Sequence, residues 1–417
     1  MDVQCIRCKG RGFCGRQSCP HIIKSEARFK VNSKPLEKDF VGSSPAPFVG
    51  RIGYPKLNVG ILSPVNVDEK AWEYDAPRYW ANHDYQIPNI VDFRSALINS
   101  RFVVHAQDSS KILDIAKEVG MASAPVDVEI NLEDKPLFRM NPDSMMAPTG
   151  PNAELKSAKI TSNSKIHQKV DKVVSDSDMK SKDALLYLYQ NNFDENFLSK
   201  VLSIGNLGLK KNRKLVPTRW SITATDDTLG KELIKEISDF SNQTDYYAFF
   251  GGYLGNYYLI LTFPNIWGYE LFEMYAPKAS WNVTDKVQYS TDYEGYDGRK
   301  TYADDTAGGY YAARLPILER LKGMKRQGNI LALRFITGEY SVPLGVWVVR
   351  EAARKAISGK PLEFGSKELM LEYAKKLAMK KFGINLDEVF DKSIMLHKLK
   401  TQVNLNSFFD IFLIEKQ

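Results

Sequence analysis

The chain has 417 residues, of which 43% are hydrophobic and 26% charged; this length predicts two or three domains, and this composition excludes a disordered or fibrous protein. No run of about eighteen apolar residues occurs, so no membrane span is expected, and the first residues lack an apolar signal segment, so a cytoplasmic chain is expected. The 57 Lys and Arg against 50 Asp and Glu, a formal charge of +7, permit nucleic-acid contact without requiring it.

All the cysteines lie at the start: Cys5, Cys8, Cys14 and Cys19. Disulfides are out of place in a reducing compartment, and the spacing C-x2-C-x5-C-x4-C reads as four thiolates around one structural Zn2+ ion. The two-residue gap makes a tight knuckle, and Gly10, Gly12 and Gly15 allow the turns that bring Cys14 and Cys19 round. His21 is a substitute ligand. The other reading is a redox pair or four separate thiols. Arg7, Lys9, Arg11 and Arg16 give this module a basic surface suited to phosphate, or simply a solvated face.

Residues 41–56 mix Pro, Gly and small residues, which predicts a loop packed close to protein or ligand. Arg51 and Lys56 within it are candidates for phosphate contact. Residues 58–62 read as a strand, 94–99 as a short helix and 102–105 as a strand. A serine-capped helix is expected over 109–119, and alternation predicts a half-buried strand over 126–132. Residues 141–163 read as a loop; 166–172 and 183–204 read as helices.

Residues 215–225 read as a strand started by Pro217, alternating through Ile222 and Ala224, after which Asp226, Asp227 and Thr228 cap a helix over about 229–240. Residues 246–275, with Gly251-Gly252, Gly255-Asn256 and Pro264-Asn265 as turn signals, predict an antiparallel meander. Residues 285–311 lack a steady period and read as the join between two domains. Helices follow over 311–326, 344–357, 366–381 and 386–398, with a strand at 330–337. The helix bearing Arg350, Arg354 and Lys355 reads as a solvated basic face. The fold class is α+β, with antiparallel sheet regions, a small N-terminal zinc module and a helical C-terminal region. The expected division is 1–21 for the zinc module, 22–285 for an N-terminal domain, 286–400 for a smaller C-terminal domain and 401–417 for a free tail.

No dinucleotide fingerprint, P-loop or H-E-x-x-H motif occurs, and the five histidines form no spaced triad. Acidic clusters are the remaining catalytic candidates. Asp226 with Asp227, and Asp292 and Glu294 with Asp304 and Asp305, are of the residue type that holds divalent metal for phosphodiester cleavage. The competing reading makes the first pair a helix cap and the others a solvated loop. Arg219 beside Trp220 suits a phosphate clamp with a stacked base, or an aromatic core residue with a surface ion pair.

The last residues carry Gln402, Leu405, Phe408 and Phe409 in the pattern Q-x-x-[aliphatic]-x-x-[aromatic]-[aromatic]. One helical turn puts Leu405, Phe408 and Phe409 on one face, and the Gln402 amide offers both a donor and an acceptor. The pattern resembles the PCNA-interacting peptide (PIP motif) that docks repair and replication proteins on the sliding clamp. The alternative is a terminal strand buried in the fold. With the four cysteines and the stretch Val216-Pro-Thr-Arg-Trp220-Ser-Ile-Thr-Ala224, this tail resembles the archaeal Nre family of DNA repair proteins over nearly the whole chain. The resemblance implies a DNA-damage repair role exercised through PCNA, with DNA as a second partner. It implies no reaction. The residues leave a non-catalytic zinc-bearing adaptor or an RNA-associated binding protein as the alternative. Residues 410–417 extend beyond the usual end of such a peptide.

Overall fold

A computed structural model of the chain describes residues 8, 13, 19–32, 36–137, 147–279, 281–282 and 284–401. Cys5, Cys14 and the tail from Gln402 onward lie outside the described residues.

Alternating sequence builds the first sheet. Its strands are β1 (Asp39–Ser44), β2 (Ala46–Val49), β3 (Lys56–Ser63), β4 (Ile98–His105), β5 (Val126–Leu132) and β6 (Asn152–Ile160), in the order β1-β5-β6-β4-β3-β2. In β5, Val126, Val128, Ile130 and Leu132 all point inward, as a period of two requires. The buried face rests on the helix Lys111–Met121 through Leu113, Ala116 and Val119, and Ser110 caps that helix by accepting the Leu113 N–H at 3.2 Å. The other face of β2, β3 and β4 carries exposed side chains, among them Phe48, Asn58, Val103 and His105.

Two loop expectations are corrected here. Residues 41–56 supply β1 and β2, leaving only 50–55 as a loop, and β6 lies inside the stretch 141–163. β1 and β6 are rich in small or polar residues and β2 is only four residues long with a proline, so the strand signal is weak until neighbouring strands complete the ladder.

The second sheet comprises β7 (Tyr246–Tyr253), β8 (Asn256–Phe263), β9 (Gly268–Tyr275), β10 (Gln288–Glu294), β11 (Asn329–Ile336) and β12 (Leu362–Phe364), in the order β10-β9-β11-β8-β7-β12. The β7–β8 hairpin turns at Leu254 and Gly255, both at positive φ, as the Gly255 signal predicts, whereas Gly251-Gly252, also expected as a turn, lies inside β7. The meander does not continue. β11 inserts between β8 and β9, antiparallel to the first and parallel to the second. The sheet therefore takes β7, β8 and β9 from before residue 286 and β10, β11 and β12 from after it.

Helices Gly308–Met324 and Trp347–Ser358 cover one face of this sheet in the same core as Tyr258, Ile260 and Ala332. Helices Lys367–Phe382, Asp387–Lys392 and Ile394–Thr401 cover the other, packing Met370, Ala374, Phe390 and Met395 on Leu261, Leu331 and Phe335. Helices Gln168–Ser175, Ser181–Gln190, Glu195–Ser203 and Thr218–Ser238 join the two sheets. The architecture is α+β, as the pattern predicts. No described helix is long and apolar enough to cross a membrane.

Four further expectations change. The helix expected over 94–99 is Ile87–Ala96, and residues 98 and 99 already belong to β4. The single helix expected over 183–204 breaks after Asn191, where Asn192 takes φ +66°, a conformation that asparagine tolerates. The strand expected over 215–225 is instead the start of the helix Thr218–Ser238, with Pro217 at its N-cap, so Asp226, Asp227 and Thr228 sit in the helix and do not cap it. The helix expected over 386–398 breaks at Ser393. There Glu270 of β9 reaches across, accepts the Ile394 and Met395 N–H groups at 2.9 and 3.1 Å, and also takes the Ser393 hydroxyl.

Glu270 thus fixes the last described helix to the sheet by satisfying N–H groups that the helix itself leaves open. Glu270→Ala removes that acceptor at a buried position, with an expected cost of about 1–3 kcal/mol. Hydrogen exchange at Ile394 and Met395 should accelerate while β8 and β11 remain protected. Unchanged exchange at those two amides would contradict this role.

Candidate functional site

The acidic candidates are drawn into ion pairs with arginines. Asp226 is fully buried, and both its oxygens accept from Arg350 Nη2, at 2.8 and 2.6 Å. Burial is the larger influence on its carboxyl and pushes it up, to about 6, against the pull of Arg350. Asp227 pairs with Lys231 at 2.7 Å and with Arg314 at 2.9 Å, and the same guanidinium holds Glu294 at 2.7 Å. Asp292 pairs with Arg299 at 2.9 Å and accepts the Thr306 N–H and hydroxyl. Asp304 and Asp305 are exposed in the turn before the helix Gly308–Met324. Arginine bridges therefore hold Asp226, Asp227, Asp292 and Glu294. Among the described residues, no group of three or more His, Cys, Asp or Glu is placed to hold a metal.

The helix Trp347–Ser358 corrects the expectation of a solvated basic face. Arg350 is buried, and Arg354 is mostly so. The centre of this network is Glu195, buried at the start of the helix Glu195–Ser203 and paired with Arg78 at 2.7 Å and Arg354 at 3.1 Å. Burial pushes the Glu195 carboxyl up, but Arg354, Arg350 and Arg78 together outweigh it and hold it at about 2. A cleft of about 660 Å³ opens beside this network, among Arg78, Tyr189, Phe193, Leu233, Glu319 and Arg354. Its charges face each other: Tyr189 donates to Glu319 at 2.7 Å, and Arg354 pairs with Glu319 at 3.2 Å. Tyr189, Glu319 and Arg354 in this cleft thus already satisfy one another.

Cys8 is buried, and its sulfur accepts the Phe13 N–H at 3.3 Å. Cys19 is half-buried directly before the helix Pro20–Asn32, and its carbonyl accepts the Ile22 and Ile23 N–H groups.

The four candidates for nucleic-acid contact come from two distant stretches, and the fold brings those stretches together. Loop 50–55 projects between β2 and β3 with Arg51, and Lys56 opens β3. Arg219 and Trp220 lie in the first turn of the helix Thr218–Ser238. The Val49 N–H donates to Thr218 Oγ1 at 2.9 Å, and the Tyr54 and Trp220 rings sit 5.4 Å apart, tilted by 52°. Backbone bonds complete the junction, Ala106 N–H to the Pro55 carbonyl at 2.8 Å and Leu215 N–H to the Ala106 carbonyl at 2.7 Å. Arg51, Lys56, Lys214 and Arg219 are all exposed. Trp220 is 46% exposed and Tyr54 40%, while Ile52 at the loop tip is 80% exposed.

Sequence reasoning missed Tyr54 and Ile52. The available signal was their position between Arg51 and Lys56 in a Pro/Gly-shaped loop. No Asp or Glu occurs over 40–67, 93–107 or 196–225, the three segments that meet here. Cations without nearby acids beside exposed rings form a surface that can hold phosphates and stack bases.

Two family profiles match the chain, one described as archaeal Nre, N-terminal, over residues 13–282 and one as archaeal Nre, C-terminal, over 294–408. Among curated proteins, the chain is 36% identical over 376 residues to DNA repair protein NreB of Archaeoglobus fulgidus, covering 90% of this chain and 93% of that one. It is 37% identical over 327 residues to DNA repair protein NreA of Haloferax volcanii, covering 76% and 78%. It is 36% identical over 371 residues to NreA of Archaeoglobus fulgidus, covering 88% and 91%. No solved structure matches it significantly.

Removing one partner of a buried ion pair leaves the other charge uncompensated. Arg350→Ala or Asp226→Ala should therefore destabilise the protein by about 3–5 kcal/mol. Asp304→Ala and Asp305→Ala, on exposed carboxylates, should change stability by no more than about 0.5 kcal/mol. Chemical denaturation of the four variants measures this. An unchanged midpoint for Arg350→Ala would remove the network from the account of stability.

Proposed function

The chain belongs to the archaeal Nre family, and from that premise we propose that it is a DNA repair factor held at its substrate by the PCNA sliding clamp. Its relatives are named DNA repair proteins. Gln402, Leu405, Phe408 and Phe409 have the spacing of a clamp-docking peptide, two rings and an aliphatic side chain on one helical turn. Arg51, Lys56, Arg219 and Trp220 supply the DNA contact. The observation that carries the DNA contact is their convergence on one exposed surface built from segments that contain no acid.

Tethering explains why two modest contacts suffice. A peptide docked on the clamp raises the local concentration of the attached body beside DNA, so the basic surface need bind only weakly by itself. The helix Ile394–Thr401, anchored through Glu270, gives the peptide a fixed point of departure. Cys5, Cys8, Cys14 and Cys19 hold one structural Zn2+; a closed tetrathiolate set leaves no position for a reacting water.

Phe408→Ala with Phe409→Ala should weaken capture by immobilised clamp by at least ~2 kcal/mol, about thirtyfold, because the aromatic anchors of such peptides dominate their affinity. The melting temperature should stay unchanged. Unaltered capture would overturn the clamp reading, and a variant that unfolds would show the tail to be a core element.

Metal analysis of the purified chain should find about one zinc, the content of a single four-thiolate site. Cys5→Ser should lower it. Full zinc content in that variant would rule out the proposed ligand set.

A further inference from the structure

The basic surface does not end at the Tyr54–Trp220 pair. It continues onto the outward face of β2, β3 and β4. Register places Phe48 opposite Gly60 and Gly60 opposite Arg101, then Asn58 opposite Val103, then Lys56 opposite His105. Residues directly opposite share a face, so Phe48, Arg101, Asn58, Val103, Lys56 and His105 form one open strip. Val103 is 51% exposed and Phe48 39%.

Gly60 is buried beneath the Asn99 side chain, whose buried oxygen takes the space a Cβ would fill, so the open part of the strip is carried by Phe48, Asn58, Val103, Lys56 and His105. A Cβ there would fall 1.8 Å from the Asn99 side-chain oxygen, so no larger residue fits without displacing Asn99. Exposed Glu154 of β6 lies opposite Arg101 of β4 and bounds the strip on that side.

We propose that this strip, entered at the Tyr54–Trp220 pair, is a path for single-stranded DNA, and that the protein prefers an unpaired strand to a duplex. The inference rests on the DNA-contact reading above and specifies its substrate. Exposed rings and a projecting Ile52 gain from DNA only where a base face is accessible, and in a duplex the base faces are covered by stacking. Arg51, Lys56 and Arg219 meet phosphates whether the strand is paired or not. The cations thus supply affinity, and the rings supply the choice between strand forms. From Gly60 to Lys56 the strip runs four residues of strand, about 13 Å at ~3.3 Å per residue. That accommodates about four stacked nucleotides at ~3.4 Å each. A sheet face with aromatic and basic side chains is open along its length, which suits a continuous strand better than an enclosed small ligand.

The test is fluorescence anisotropy of the full chain with a labelled oligothymidylate, the matching duplex and the matching RNA, all at one salt concentration. Single-stranded DNA should bind at least about tenfold tighter than duplex. Phe48→Ala, Tyr54→Ala and Trp220→Ala should each weaken single-strand binding by about 5- to 100-fold, the loss of one stacked base, and leave duplex binding unchanged. All three side chains are exposed, and unchanged melting temperatures will confirm intact folds. Equal affinity for both forms, with Arg51→Ala and Arg219→Ala weakening each alike, would overturn the single-strand path while sustaining DNA contact at this surface. Tighter binding to RNA than to DNA would overturn the path as well. No binding to any of the three would overturn the path and the DNA-contact reading together.

Discussion

The buried pair between Asp226 and Arg350 is the constraint on which the placement of the exposed surface depends. The two residues lie 124 positions apart and meet almost entirely out of water. Asp226 is in the helix Thr218–Ser238 and Arg350 in the helix Trp347–Ser358, which lies on the second sheet. Nearly two turns before Asp226, the same helix presents Arg219 and Trp220 to the first sheet. A rotation of this helix would carry Trp220 away from Tyr54 and strip Arg350 of its partner at once. Asp227 adds a second tether, to Arg314 of the helix Gly308–Met324.

This arrangement divides labour between charges. Arginines with carboxylate partners are interior and structural: Arg314 and Arg350 are buried, and Arg334 is bonded to Glu273 and Asn256 inside the second sheet's core. Buried guanidiniums of this kind resist loss of a partner but contribute modest net stability over an apolar core. Their value here is orientational, since a fork of donors accepts a carboxylate in few geometries. The cations around loop 50–55, by contrast, lie in segments without acids and remain solvated. Their charge is available to a partner at little desolvation cost.

Several elements were legible from local pattern because their signal is itself local. The helix Lys111–Met121 has its serine cap and its i, i+3 apolar spacing; β5 alternates over its length; the β7–β8 hairpin carries its Gly255 turn. The misread stretch 215–225 fails for a specific reason. Trp220, Ile222, Thr223 and Thr225 are β-formers with apparent alternation, but Leu229, Leu233 and Ile237 continue at helical spacing and bury. Propensity in one turn yields to the packing of the following four. At Ser393 a single carboxylate from β9 ends one helix and starts another.

The sequence by itself determined the α+β class, the family likeness and the residue types available at each place: four cysteines at one end, an amide, an aliphatic residue and two rings at the other, and basic stretches free of acid. Only the tertiary structure decided which charges are spent on one another and which face outward. Periodicity reports the face a residue occupies within its own element, whereas the partner of Asp226 and the neighbour of Trp220 arrive from far along the chain. Their meeting is fixed by how helices and sheets pack, and no local pattern encodes it.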